Sequence, residues 1–275
     1  MHPVIKHILE RKNKSVPVND GRKIALVLFG GIMCGIRGAG AMIALEELGL
    51  RNIFDSVYVI SAGFPNVLYL LDEKVRLATS IYYRDLNDKK FINPYHMNKI
   101  IDIGYLMNIF RSGSRKIDAE KILNQKTKIY VGTKNVKTKQ IEYLEIHDLR
   151  SDEVFNLLNA SISVPFLHPG STEINGKFYE DVGRSLFNSR AKINVKTALG
   201  SDATDILLIY NRKDQHMMDI PDPESSRVFE ILPTNNDLGL FETKTEILKC
   251  EAQKMGDMVK RIFGSNEPID LGNFD

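Results

Sequence analysis

Ile53-Phe54-Asp55-Ser56-Val57-Tyr58-Val59-Ile60-Ser61-Ala62-Gly63-Phe64-Pro65-Asn66-Val67-Leu68-Tyr69-Leu70-Leu71 changes character at one serine. Ahead of Ser61, the β-branched and aromatic run 53–60 reads as a buried strand; after it, 66–71 reads as a helix. A side chain on the sharp turn between them is pushed out of the end of a sheet. There the turn N–H groups and the helix N-terminus favour developing negative charge, which is how an α/β fold displays a nucleophile. The position also suits a serine that merely caps a helix, and Ser61 taken alone favours that reading.

Upstream, Ile24-Ala25-Leu26-Val27-Leu28-Phe29 is a continuous apolar run ending in Gly30-Gly31, the pattern of a strand buried on both faces that feeds a tight loop. Residues 39–49 then read as a helix stopped by Gly49. Strand, loop, helix, strand, turn and helix make a βαβα unit, whose links require parallel strands and a right-handed crossover. The Gly30-Gly31 loop and the Ser61 turn therefore open at the same end of the sheet, and the fold class is α/β.

Outward from this unit, residues 1–22 read as a polar N-terminal arm with a short helix through Leu9 and a basic run from Arg11 to Lys14. The α/β domain spans 23–214, with a helical insertion at 72–123. Strands are expected at 127–133 and 140–146, joined by the Lys- and Asn-rich turn 134–139, and a helix at 152–161. A tight hairpin around Asn175-Gly176 delivers Asp181, and 204–211 is a last core strand. Residues 212–237 read as loop. The C-terminal extension, 215–275, ends in an amphipathic helix at 241–263 whose apolar face, including Ile247, Leu248, Met255 and Val259, is expected to pack back on the domain.

Thirty-seven basic residues against thirty-five acidic ones leave a net charge of +2, so no global field recruits nucleic acid. Cys34 and Cys250 stand far apart and outside any zinc-ligand spacing, which argues for a reducing compartment and no metal. Met1-His2-Pro3-Val4-Ile5-Lys6-His7 lacks the apolar centre of a signal peptide, and no stretch approaches the ~18 apolar residues of a membrane span. The expectation is a cytoplasmic protein, with peripheral contact at a membrane surface as an option, no cofactor, and an oligomeric state the sequence leaves open. Phe64, Leu106, Met107, Ile109 and Phe110, near basic Arg111, Arg115 and Lys116, are the candidates for that contact, with ordinary core packing expected for most of them.

Acyl transfer by a serine needs a nucleophile, a base and donors aimed at the oxyanion. Ser61, Asp181 in Phe178-Tyr179-Glu180-Asp181-Val182-Gly183, and the unhindered N–H groups of Gly30-Gly31 supply one of each. Their order, together with Ala39-Gly40-Ala41-Met42, Leu45-Glu46-Glu47-Leu48-Gly49, Phe54-Asp55-Ser56-Val57-Tyr58, Asn159-Ala160-Ser161 and Val164-Pro165, resembles the patatin-like phospholipase family over residues 24–211. The resemblance implies a three-layer α/β/α fold with a mostly parallel central sheet and a Ser–Asp dyad. It makes Ser61 the nucleophile, Asp181 the general base, and Gly30, Gly31 and Ile32 the oxyanion hole, with Gly35, Arg37, Gly63 and Gly183 as motif support. It also implies hydrolysis of a phospholipid or other fatty acyl ester. A Ser-His-Asp triad using His168 is a weaker alternative, and His147 is read as ordinary polarity.

The family's motifs are degenerate in this chain. Its G-G-G-x-R-G loop, aligned without gaps, becomes Gly30, Gly31, Ile32, Met33, Cys34, Gly35; its G-x-S-x-G elbow begins on Val59; its D-G-G becomes Asp181-Val182-Gly183. A β-branched residue disfavours positive φ, so Ile32 predicts a rearranged loop, with Gly35-Ile36-Arg37-Gly38 as a partial substitute in a register shifted by three. Two further readings stay open under the same fold: a catalytically impaired lipid- or partner-binding protein, and an acyltransferase using the same acyl-enzyme.

Overall fold

The computed structural model describes residues 1–93, 95, 99–165, 167–168, 170–183, 197–198, 200, 202–215 and 227–273. Its centre is an eight-stranded sheet: β1 (Ile24–Leu28), β2 (Ser56–Ile60), β3 (Lys128–Asn135), β4 (Ile141–Glu145), β5 (Thr172–Ile174), β6 (Lys177–Glu180), β7 (Asp205–Ile209) and β8 (Val228–Ile231). The order is β5-β6-β3-β2-β1-β7-β8, with β4 also on β3. β3, β2, β1, β7 and β8 run parallel, while β4, β5 and β6 form antiparallel pairs. β8 lies within the stretch read from sequence as loop, so the sheet extends past residue 214. Its four residues are too short to show periodicity alone, and pairing with β7 fixes them as a strand.

Eight helices of five or more residues accompany the sheet among the described residues: α1 (Pro3–Glu10), α2 (Gly35–Glu47), α3 (Gly63–Leu71), α4 (Val75–Arg84), α5 (Ile103–Arg111), α6 (Ala119–Leu123), α7 (Ser151–Ile162) and α8 (Thr245–Ile262). The molecule is thus a mixed α/β fold with a central sheet and flanking helices. The strands bury both faces: Leu26, Leu28, Val57, Val59, Leu207 and Ile209 pack with the helices, while Ala25, Val27, Phe29, Tyr58, Ile60 and Leu208 form a second cluster. This alternation follows from the period of two along a strand.

Local signals explain the element ends. α2 stops where Gly49 takes φ 71°, its N–H reaching Glu46 and the Leu50 N–H reaching Leu45, the paired bonds of a Schellman motif. Asn175 and Gly176 both adopt positive φ, as a two-residue hairpin turn requires. α2 begins at Gly35, four residues ahead of the expected start, so Gly35-Ile36-Arg37-Gly38 is helix and the shifted loop register has no loop to occupy.

The arm is packed rather than free. Val4, Ile5 and Ile8 of α1 lie in the core. Arg11 is wholly buried, its guanidinium held by Asp20 and Asp55 and by the carbonyls of Ile53 and Arg22. Such pairing is what a buried cation requires. α8 lies along α2, and the contact is close: a Cβ on Gly40 would stand 2.1 Å from the Ala252 carbonyl oxygen. No helix among the described residues is long and apolar enough to cross a membrane.

Candidate active site

Three parallel strands, β2, β1 and β7, lie side by side, so their carboxyl ends deliver Ser61, Gly30-Gly31 and Asn211 to one edge of the sheet, where open α/β sheets place ligands. Ser61 has φ 53°, the strained left-handed turn of a residue thrust out between strand and helix. Val59 does not prevent it. Its side chain lies in the core between Leu28 and Val131, inside the strand and before the turn begins. The turn is set by contact with β1: a Cβ on Gly63 would meet the Leu28 carbonyl oxygen at 2.7 Å, and one on Gly30 would meet Ser61 Cβ at 2.4 Å and Oγ at 2.9 Å. Both glycines are therefore fixed by close approach.

Gly31 has φ 144° and Ile32 φ 51°, so the isoleucine itself takes the left-handed conformation. Such a β-branched outlier costs on the order of 1–3 kcal/mol. Met33 N–H on the Leu240 carbonyl, Cys34 N–H on Gly31 and the Cys34 thiol on Leu238 hold the turn from the other side. Among the described residues, the N–H groups of Gly30, Gly31 and Ile32 find no hydrogen-bond partner. Three consecutive free donors beside a serine are what an oxyanion needs.

Asp181 follows β6 and is 2 % exposed. Its Oδ1 accepts the Gly183 N–H at 2.6 Å, and Gly183 takes φ 62° as the chain turns away. Burial pushes the carboxyl up to about 6, against the lowering pull of that N–H and of the nearby Ser61 hydroxyl. Oδ2 is buried and closes no hydrogen bond. The serine is thus close enough to act on the carboxyl's titration.

Neither histidine joins them. His168 sits against Ile101 and Asp102, with its pKa lowered chiefly by burial, and His147 Nε2 is at 3.1 Å from the Gln125 carbonyl. Arg37 also lies apart from the serine. Buried in α2, it donates to Glu251 of α8, to Asn235 Oδ1 and to the Asn211 carbonyl. Gly35 instead touches the elbow, since a Cβ there would meet Ala62 Cβ at 2.8 Å. Among the described residues no group of His, Cys, Asp or Glu gathers as a metal site.

Ser61 and Ile32 line a small apolar cavity of about 50 Å³. Much of its wall comes from the 72–123 region: Ala78, Ile81, Leu86, Phe91, Ile103, Leu106 and Phe110. Tyr82 and Asn66 satisfy each other there, and the Asn66 amide donates to the Gly35 carbonyl. The candidates for membrane contact instead follow the core-packing reading: Phe64, Leu106, Met107 and Phe110 are buried and Ile109 is half-buried. Their spacing was that of a helix face, and the face turns inward.

The sequence does not mark Asn211 or Gln215 as part of the site: Asn211 ends the expected strand 204–211, yet β7 ends at Ile209 and Asn211 folds its side chain onto the glycine loop. A polar residue just past an all-apolar strand was the only available signal.

No protein-family model and no curated protein matches the chain. Among solved structures it is similar to VipD from Legionella pneumophila, with a TM-score of 0.49 and 11 % identity over 88 % of this chain and 67 % of VipD. It is also similar to full-length ExoU, solved in complex with SpcU from the type III secretion system of Pseudomonas aeruginosa, with a TM-score of 0.39 and 15 % identity over 88 % of this chain. A second structure of the ExoU–SpcU complex gives a TM-score of 0.39 and 14 % identity over 87 % of this chain and 51 % of the other. The chain spans about half the length of ExoU.

Proposed function

We propose that the chain is a lipid acyl hydrolase of patatin-like type, acting on a phospholipid or other fatty acyl ester through an acyl-Ser61 intermediate. One observation carries the reading: Ser61, in a strained elbow lining an apolar cavity, stands against Gly30 of the glycine loop and acts on the buried Asp181 carboxyl. Asp181 Oδ2 accepts the Ser61 proton as Oγ attacks the ester carbonyl carbon. The N–H groups of Gly30, Gly31 and Ile32 meet the oxyanion. The leaving alcohol takes the proton from Asp181, and a water deprotonated by the same carboxylate then releases the fatty acid. The cavity supplies an apolar bed for the acyl chain, with its polar wall groups, Asn66 and Tyr82, already bonded to each other.

Covalent labelling tests this directly. An alkyl fluorophosphonate is expected to label the intact protein once, at Ser61, with no labelling of Ser61→Ala and labelling of Asp181→Asn slowed by about a hundredfold or more. A folded wild-type protein that stays unlabelled, and that hydrolyses no fatty acyl ester, overturns the hydrolase in favour of a silent lipid-binding protein of the same fold.

A further inference from the structure

The glycine loop is gripped from behind. The Gly30 carbonyl accepts from Asn211 Nδ2 at 3.1 Å and from Gln215 Nε2 at 3.0 Å, and Asn211 Nδ2 also reaches the Phe29 carbonyl. Asn211 is fully buried and Gln215 is 3 % exposed. Gln215 in turn uses its Oε1 to accept the N–H groups of Asn211 and Arg212, each at 3.1 Å. The Asn211 carbonyl is held by Arg37, which is anchored on Glu251. A line of buried hydrogen bonds therefore runs from α8 through α2 and the end of β7 to the backbone beside Ser61.

The consequence follows from peptide geometry. In a planar trans peptide the N–H points opposite to the C=O it shares a bond with. Pinning the Phe29 carbonyl fixes the Gly30 N–H, and pinning the Gly30 carbonyl fixes the Gly31 N–H, both facing away from the amides that hold them. Gly31 and Ile32 sit in strained conformations, which persist only where the surroundings over-determine them. Glycine would otherwise let these peptides rotate.

We infer that Asn211 and Gln215 are positioning residues: their side-chain amides fix the peptide planes that aim the Gly30 and Gly31 N–H groups at the oxyanion. Neither residue touches substrate, and the inference rests on the hydrolase reading only for its kinetic consequence. It also gives Arg37 a role at one remove, holding Asn211 rather than meeting the oxyanion.

The test uses the full-length protein with Gln215→Met, which keeps the side chain's length and removes its donor, and Asn211→Ala as the more disruptive partner. With a p-nitrophenyl fatty acyl ester, each is expected to lower kcat by about tenfold to a hundredfold while KM stays within about twofold, the mark of donors that act in the transition state. Backbone ¹⁵N order parameters of Gly30 and Gly31, measured by NMR without substrate, are expected to fall in both variants while those within β1 and β2 are unchanged. A KM effect with kcat intact, or wild-type order parameters at Gly30 and Gly31 in Gln215→Met, overturns the inference. If the wild-type protein neither labels nor turns over, the hydrolase reading fails, and the order parameters still decide whether these amides hold the loop. Should Asn211→Ala not fold, Gln215→Met carries both readouts.

Discussion

At the residue scale, Asp181 couples function to stability. The unfolded carboxyl ionises near its ordinary value of 3.8 and the folded one near 6. Ionising it inside the protein therefore costs stability that is absent below pH 4, grows as pH rises from about 4 to 6, and reaches at most about 3 kcal/mol above that. Asp181→Asn keeps an acceptor for the Gly183 N–H and escapes this cost. Its thermal midpoint is expected to exceed that of wild type at pH 7.5, with the gap closing towards pH 4; a gap independent of pH contradicts the buried, ionising carboxylate. The same titration sets the rate, because the base must be ionised: kcat/KM for a fatty acyl ester is expected to rise through a midpoint of about 6 and level off above pH 7. Ile32 carries the opposite lesson. Its side chain argues against positive φ, yet the loop holds it at 51°, so Ile32→Gly removes strain without altering the donors. Ester turnover is expected to stay near wild type; a large rise instead makes loop geometry the limiting feature.

At the scale of elements, the α2–α8 contact shows how a helix periodic in sequence becomes a fixed part of the site. The apolar stripe of 241–263 predicts a helix packed on the domain, and α8 buries Leu248, Ala252, Met255 and Val259, while Ile247, expected on the same face, stays exposed at the helix's first turn. The stripe could not say that Gly40 and Gly256 bring two backbones together, because that depends on the residue opposite each glycine: Ala252 for Gly40, and Ile269 with the Gly40 carbonyl for Gly256. Gly40→Leu drives a side chain into the Ala252 backbone and must part the helices. A loss of about 3 kcal/mol is expected in chemical denaturation, at the upper end of overpacking costs. Reduced ester turnover should accompany it, since Glu251 of α8 anchors Arg37 and, through it, Asn211. An unchanged denaturation midpoint contradicts the close packing.

At the scale of the whole molecule, the 72–123 region forms an apolar wall over the open end of the parallel sheet, and this makes the cavity. Ala78 lines that wall. Ala78→Phe is expected to depress hydrolysis of long-chain esters several-fold more than that of acetate or butyrate esters; equal losses for all chain lengths remove the cavity from substrate binding. The parallel βαβα unit, the shared edge for Ser61 and Gly30-Gly31, and the hairpin that delivers Asp181 were legible in the sequence alone. Each follows from short-range rules: strand and helix periods, turn glycines, and the fixed hand of a parallel crossover. The tertiary structure alone decided which way the apolar face of 103–111 turns, that Ile32 keeps a glycine's backbone, that β8 extends the sheet, and that Asn211 and Gln215 grip the loop. Those outcomes depend on pairing with other segments of the chain or on burial itself, as when Asn211 meets Gly30 across 181 positions. Local sequence patterns report the shape of each segment; its neighbours, and hence its electrostatics and strain, exist only once the segments have packed.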